Sequence, residues 1–254
     1  DGRIDAEHAC CHLCDLLEQA LAHLGAAVVQ VDRAVLIDMH QGPGLVQPGE
    51  GEGNAELHRR EPDAALQGAA PERRVTTRVA LLGSFLGKYQ IEALMETLTQ
   101  GYLRALGEDD PARREQILNM LTAAEQAVAL QFGSFATEFA RLDKEQTRVS
   151  TLGVALPFAT RLLPQATFDV REAFRIHARG LAEAASNELQ RSPRDKAFTM
   201  SAELLLMQHS CHWFCRSKAT ASARSLLRHQ TPHEQLVASV APATRRDYLA
   251  LVQG

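Results

Sequence analysis

The stretch DPARREQILNMLTAAEQAVALQFGSFATEFARL, residues 110–142, is the most informative part of the chain for the fold. It begins with Asp110 and Pro111, residue types preferred at the N-cap and the first position of a helix. Apolar residues then recur every three or four positions, as on one face of an α-helix. They are Ile117, Leu121, Ala124, Val128, Phe132, Phe135, Phe139 and Leu142. The pattern predicts a long amphipathic helix over 111–147, with its apolar side in a core or an interface.

Helical periodicity extends over most of the remaining chain. It is clear over residues 4–24, 73–106 and 193–229, and also after Asp169, a residue typical of a helix N-cap. Residues 26–40 are rich in β-branched side chains, but they keep a helical period and no other segment offers a partner strand. We therefore predict an all-α fold of one or two packed helical bundles.

Residues 41–71 differ from the rest in composition. Glycine and proline recur throughout this segment, which predicts a long loop or linker. Gly153, Pro157 and Pro164 mark a second, shorter connector. The predicted organisation is an N-terminal helical region, 1–152, which includes the loop and the long amphipathic helix, and a C-terminal helical region, 153–254.

The overall composition is that of an ordinary globular protein. Of the 254 residues 45% are hydrophobic and 23% are charged, with a net charge of −4, which gives no reason to expect a nucleic-acid partner. No apolar run is long enough to span a membrane, and no apolar segment follows a basic start as in a secretory signal. We expect a cytoplasmic protein with reduced thiols and no membrane partner.

The cysteines cluster at two distant places in the sequence, three near the N-terminus and two near residue 213. Cysteines three or four residues apart share one face of a helix, so two packed helices would bring four thiolates together for zinc. The predicted metal ligands are Cys11, Cys14, Cys211 and Cys215, with His8, His12, His209 and His212 as possible substitutes. An iron–sulfur cluster would accept the same cysteines. Plain packing of buried thiols and a reactive thiol are the alternative interpretations.

His177 is a further candidate site residue. It falls between Phe174 and Leu181 on the apolar face of a predicted helix. A histidine in that position is a candidate cofactor-binding residue for haem or another small ligand, or a base. The alternative is a core histidine whose ring nitrogens are satisfied by neighbouring polar groups.

One family resemblance involves the region before and within the long amphipathic segment. The motifs are Phe85-Leu86-Gly87-Lys88-Tyr89-Gln90, Asp109-Asp110-Pro111, Ile117-Leu118-Asn119 and Ala124-Glu125-Gln126. They resemble the last two helices of bacterial sensor globins, which carry haem on a proximal histidine shortly before the first of these motifs. Here residues 73–77 contain no histidine. The resemblance therefore implies a sensor globin without haem, or one with a displaced ligand.

Taken together, these patterns predict a cytoplasmic regulatory or protein-interaction module. Its partner would be another protein or a second copy bound through an amphipathic helix, and a zinc site would join the chain ends. A helical sensor of haem or another small ligand is the first alternative, and a thiol- or metal-dependent enzyme is the second. Enzyme motifs such as His-Glu-x-x-His and Gly-x-Ser-x-Gly do not occur in the sequence, which makes the enzyme the weaker interpretation.

Overall fold

The fold is all-α, as the periodicity predicts. The structure, a computed structural model, describes residues 64–153 and 163–253. The predicted metal ligands near the N-terminus and residues 41–63 of the predicted loop lie outside this part. The first described helix begins at Ala64, within the range predicted as loop.

The described elements are helices except for two short strands. In chain order they are α1 (Ala64–Leu86), α2 (Ile91–Leu106), α3 (Pro111–Met120), α4 (Thr122–Phe139), α5 (Lys144–Thr147), β1 (Arg148–Ser150), a 3₁₀ turn (Pro164–Ala166), β2 (Thr167–Asp169), α6 (Val170–Ser186), α7 (Pro193–Cys215), α8 (Lys218–His229), α9 (His233–Ser239) and α10 (Pro242–Gln253).

The long amphipathic segment forms three helices instead of one. Leu121 interrupts it with a tighter turn, in which its N–H donates to the Leu118 carbonyl. Its side chain lies against Gly101 of α2, where an added Cβ would meet Leu121 Cδ2 at 2.5 Å. The interruption lets α3 pack on α2 while α4 packs on α6. The Phe132, Phe135 and Phe139 rings are fully buried, so their stripe belongs to the core of this chain.

The start signals read from the sequence at Asp110 and Asp169 are confirmed, and Ser192 caps α7 in a similar way. Asp110 and Asp169 each accept a hydrogen bond from the backbone N–H two residues further on, and the Ser192 hydroxyl accepts one from the Asp195 N–H. Each bond satisfies an N–H group that the first helical turn leaves without a partner.

Two predicted helices end earlier than the sequence suggested. The helix predicted over 193–229 is divided after Cys215, where Arg216 leaves the helical conformation and Ser217 caps α8. Leu189 continues the apolar spacing that follows Asp169 in the sequence, yet it is 64% exposed because α6 ends at Ser186.

The strands form an antiparallel pair that the sequence did not predict, with Val149 opposite Phe168. Both side chains are buried, and the Phe168 ring packs edge-on against Trp213 of α7 at 4.9 Å. The Trp213 indole N–H donates to the Ser150 carbonyl at 2.9 Å. The pair therefore anchors residues 148–150 and 167–169 to the end of α7.

Helix α7 is the centre of the described fold. It packs against α1, α3, α6, α8 and α9, and it is buried on nearly all sides over its second half. The Arg78 guanidinium of α1 closes its C-terminal end by donating to the Phe214 carbonyl at 3.0 Å. One hydrophobic core includes residues from both sides of the predicted division at residue 153.

Candidate functional site

Four of the predicted metal ligands lie in the last turns of α7. Cys211 is half-buried and Cys215 is buried, and neither forms a disulfide within the described residues. His209 and His212 have separate partners, the Ser222 hydroxyl at 3.1 Å and the Arg224 guanidinium at 3.4 Å. Within the described residues, no group of three or more His, Cys, Asp or Glu side chains is arranged to hold a metal ion. Because Cys11, Cys14, His8 and His12 lie outside the described residues, the shared zinc site stays a prediction.

His177 of α6 is fully buried. Its Nε2 lies 2.8 Å from the Ser210 hydroxyl of α7, and its ring faces Tyr248 of α10 at a centroid distance of 5.6 Å. Its Nδ1 has no hydrogen-bond partner among the described residues. Burial lowers the pKa of His177 to about 3, so the imidazole is neutral near pH 7. One ring nitrogen of His177 therefore has a polar neighbour in the interior and the other does not, and its role as a cofactor-binding residue stays a prediction.

The His177–Ser210 pair belongs to a larger polar group in the interior, which we call the histidine cluster: His177, Ser210, Tyr248, His233 and His209. The His209 and His233 rings stack at 4.3 Å, and His233 Nε2 lies 3.3 Å from the Tyr248 hydroxyl. Burial first, then the positive charges of neighbours, lowers the pKa of His209. The cluster is therefore a neutral polar network that joins α6, α7, α9 and α10.

Glu203 is a second buried acid-base group on α7. One carboxylate oxygen accepts the Ala241 N–H at 3.0 Å, just before α10. The other oxygen lies beside Gly180 and the Thr244 hydroxyl, and it has no hydrogen-bond partner of good geometry in the part of the chain that the structure describes. Burial raises the pKa of Glu203 to about 7. The carboxyl group therefore changes charge near neutral pH while it holds α10 against α7.

A third polar group lies near the start of α7. The Tyr102 hydroxyl of α2 donates to Glu125 of α4 at 2.6 Å, and Lys196 of α7 forms an ion pair with the other carboxylate oxygen. Glu125 is 2% exposed, so the pair is largely shielded from water. These three side chains link α2, α4 and α7.

A surface depression lies between α4 and α6, and we call it the α4–α6 groove. Its volume is about 790 Å³. Small side chains form most of its lining, which consists of Gln126, Ala129, Leu130, Gly133, Ser134, Thr137, Glu138, Ala178, Ala182, Ala185 and Ser186. Glu138 is the charged residue of the lining, and it is paired with Lys88 at 2.8 Å. Leu130 projects from the groove wall and is 73% exposed.

A smaller cavity of about 400 Å³ lies between α7 and α9. Its apolar residues include Ala202, Leu205 and Leu236, and Arg194 lies over the Phe198 ring at 5.6 Å. His177 does not line this cavity or the α4–α6 groove. Neither space therefore offers the imidazole to a ligand such as haem.

Several of these residues had no signal in the sequence. His233 directly follows Pro232 at a helix start, a position that is commonly exposed, and its burial depends on how α9 folds onto α7. Glu203 lies in an apolar helix without a neighbouring basic residue to mark a buried pair. The lining of the α4–α6 groove is mostly alanine, glycine and serine, which carry little information until the two helices are placed side by side.

Comparison with known proteins supplies no relative: no family model matches the chain, and no curated protein or solved structure matches it. None of the helices in the described ranges combines the length and apolar character that a membrane span requires.

Proposed function

We propose that this chain is a helical protein-interaction module that forms a homodimer through the α4–α6 groove. The observation that carries the proposal is that one helical face presents both a projecting side chain, Leu130, and a hollow lined by small residues. The regulatory role and the cytoplasmic location predicted from the sequence are part of the proposal.

The composition of the face supports burial against protein. Interface cores are depleted in charged residues, and the groove has one charged lining residue although 23% of the chain is charged. Small residues at Gly133, Ala178 and Ala182 would let the backbone of a partner helix approach closely. A helix pair packed against another helix pair forms a four-helix arrangement, a common way to bury such faces.

The choice of a second copy as the occupant follows from self-complementarity. In a two-fold dimer, residue i of one protomer meets residue j of its partner, and j meets i. Leu130 and the hollow around Ala182 belong to the same groove, so a two-fold axis would seat the leucine of each protomer in the hollow of the other. The phenylalanine stripe predicted as a possible interface is buried in the core, and the dimer would use the outer side of the same helix.

The test is sedimentation equilibrium of the full chain up to about 100 μM, a range that detects micromolar dimers. We expect a dimer for the unmodified chain and a monomer for Leu130→Glu, because a two-fold interface would bury the new charge twice. The matched control is Leu227→Glu on α8, since Leu227 is 76% exposed and lies away from the groove. A monomeric unmodified chain, or a Leu130→Glu variant that still dimerises, would contradict the proposal.

A further inference from the structure

The outer side of α8 is an apolar surface that no described element covers. Among the α8 residues whose side chains the structure describes, the exposed ones are Ala219, Ala223, Leu226 and Leu227. Their spacing places them on one side of the helix, and we call this set the α8 face. The opposite side of α8 packs against α7. A surface helix normally turns its polar side outward, so an apolar outer side indicates that a further segment or molecule binds there.

The charged residues around the α8 face are mainly basic. Residues 216–230 contain no aspartate or glutamate, and they contain four basic residues, Arg216, Lys218, Arg224 and Arg228. Neither Arg216 nor Lys218 forms an ion pair with another described residue, and the Lys218 ammonium lies over the Trp213 ring at 5.3 Å. Glu234 of α9, whose charge acts on His233 together with that of Lys218, offsets one of the four. The remaining excess of positive charge favours an acidic occupant.

Two possible occupants do not fit this charge. A second copy bound through the same face would bring basic residues opposite basic residues, and like charges across an interface disfavour association. Residues 154–162 follow Gly153, whose carbonyl accepts the Ala219 N–H at 3.2 Å. They contain Arg161 and no acidic residue. The occupant must instead combine an apolar side with carboxylates.

Residues 4–24 of this chain have that composition. They contain no lysine or arginine, and their acidic residues are Asp5, Glu7, Asp15 and Glu18. Their apolar residues recur at helical spacing, which predicts an amphipathic helix. Residues 25–63 connect this segment to α1. A chain of that length can span roughly 130 Å when extended, so the connection is long enough to reach the α8 face.

We propose that residues 4–24 bind to the α8 face of the same chain. The apolar side of the segment covers Leu226 and Leu227, which are 49% and 76% exposed without it, and removal of this surface from water stabilises the contact. The acidic side chains lie beside Arg216 and Lys218. The contact needs no metal, so it differs from the zinc site predicted from the sequence. It is also independent of the dimer proposed through the α4–α6 groove.

Carbodiimide cross-linking of the full chain tests the contact, because the reagent joins an amine to a carboxylate only when the two groups touch. The chain has four lysines, Lys88, Lys144, Lys196 and Lys218. We expect mass spectrometry to find a link from Lys218 to Asp15 or Glu18. EDTA is present throughout, so a shared zinc ion cannot be what holds the two segments together.

The other lysines provide the controls. Lys88 lies 2.8 Å from Glu138, so a link between these two shows that the reagent has worked. Lys144 is exposed on α5 and should form no link to residues 4–24. If the Lys88–Glu138 link forms without one from Lys218 to residues 4–24, the proposal is wrong. In a mixture of ¹⁵N-labelled and unlabelled chains, a Lys218 link that joins two different chains would overturn it as well.

Hydrogen exchange gives the second measurement. Leu227→Glu places a negative charge on the α8 face, and we expect amide exchange in residues 4–24 to become at least about tenfold faster. The matched control is Leu189→Glu, since Leu189 is 64% exposed and follows α6, and this variant should leave the exchange unchanged. Equal exchange in both variants would contradict the contact. Residues 4–24 that exchange as fast as an unfolded peptide in the unmodified chain would also contradict it, and would leave the α8 face to an external acidic partner.

Discussion

Helix α7 has buried polar groups near its start and along its second half, and the two groups are stabilised in opposite ways. Near the start, Lys196 and Tyr102 both contact the Glu125 carboxylate, so each of the three side chains has a partner. In the histidine cluster, Nδ1 of His177 and Nδ1 of His209 have no partner within residues 64–153 and 163–253, and burial lowers both pKa values.

The difference shows two solutions to one physical problem. Burying a charge is costly unless it is paired, and a group without a counter-ion avoids the cost by changing its protonation state. The Glu125 group should therefore respond strongly to the removal of one partner. The histidine cluster should respond to acid, because protonation would create the charge that burial excludes.

The largest effect is expected for Glu125→Ala. Removal of the carboxylate leaves Lys196, whose side chain is 13% exposed, without its counter-ion, and leaves the Tyr102 hydroxyl without an acceptor. We expect the free energy of unfolding to fall by about 3–5 kcal/mol, as for other broken buried pairs. Urea unfolding at a fixed protein concentration measures it. Glu125→Gln, which keeps an acceptor for Tyr102, should lose less, and a loss below about 1 kcal/mol for Glu125→Ala would contradict the interpretation.

The acid response of His177 is the next largest effect. Its pKa is about 3 in the folded chain and about 6.5 when unfolded. Its contribution to stability is therefore complete above pH 6.5 and is lost as the pH falls towards 3. The expected loss is up to about 1.4 kcal/mol per pH unit, or roughly 2 kcal/mol between pH 6.5 and 5. Urea unfolding at pH 7 and 5 should show a smaller difference for His177→Phe than for the unmodified chain.

Glu203 should change the stability with pH in the opposite direction to His177, and it therefore serves as a control. Its pKa is raised to about 7, above the usual value for an unfolded glutamate, about 4.3. Its contribution is therefore present at low pH and is lost as the pH rises through 7. Glu203→Gln keeps the acceptor for the Ala241 N–H, and because its amide does not titrate, the loss of stability with rising pH should disappear. If His177→Phe and Glu203→Gln both show the pH profile of the unmodified chain, His177 and Glu203 do not set the pH dependence of the free energy of unfolding.

The helices of this fold could be predicted because their signals are local. Asp110, Asp169 and Ser192 cap the backbone within three residues of their own positions. The strand pair could not be predicted in this way, since each strand has three residues and Val149 meets Phe168 across a connection. The interruption at Leu121 also depends on a distant residue, because Gly101 of α2 provides the space for its side chain.

The candidate sites were less predictable than the fold for the same reason. The sequence correctly marks His177 as a residue on an apolar face, but it does not indicate Ser210 or Tyr248 as its neighbours. The stacking of His209 on His233 joins α7 and α9, which are separated by α8. The apolar periodicity within either helix does not predict this contact.

Alanine substitutions at two glycines within helices, Gly180 and Gly133, should change the stability in opposite directions and by smaller amounts. At Gly180, beside the Glu203 carboxylate, an added Cβ would meet the Thr244 hydroxyl at 2.5 Å, whereas at Gly133 in the α4–α6 groove nothing lies within 4 Å. Gly180→Ala should lower the free energy of unfolding by about 1–3 kcal/mol through overpacking. Gly133→Ala should raise it by about 0.5–1 kcal/mol, because alanine has the better helix propensity. Thermal unfolding of both variants, with opposite signs of the Tm change, checks the prediction.

The smallest effect is expected for the exposed ion pair between Lys88 and Glu138. Its N–O distance is 2.8 Å, with side chains 54% and 37% exposed, so solvent already screens both charges. Lys88→Ala should change the free energy of unfolding by less than about 1 kcal/mol, as measured by urea unfolding beside Glu125→Ala. Both pairs join a lysine to a glutamate, and only the buried one leaves an unscreened charge when broken. A loss for Lys88→Ala equal to that for Glu125→Ala would therefore show that burial is not what distinguishes the two pairs.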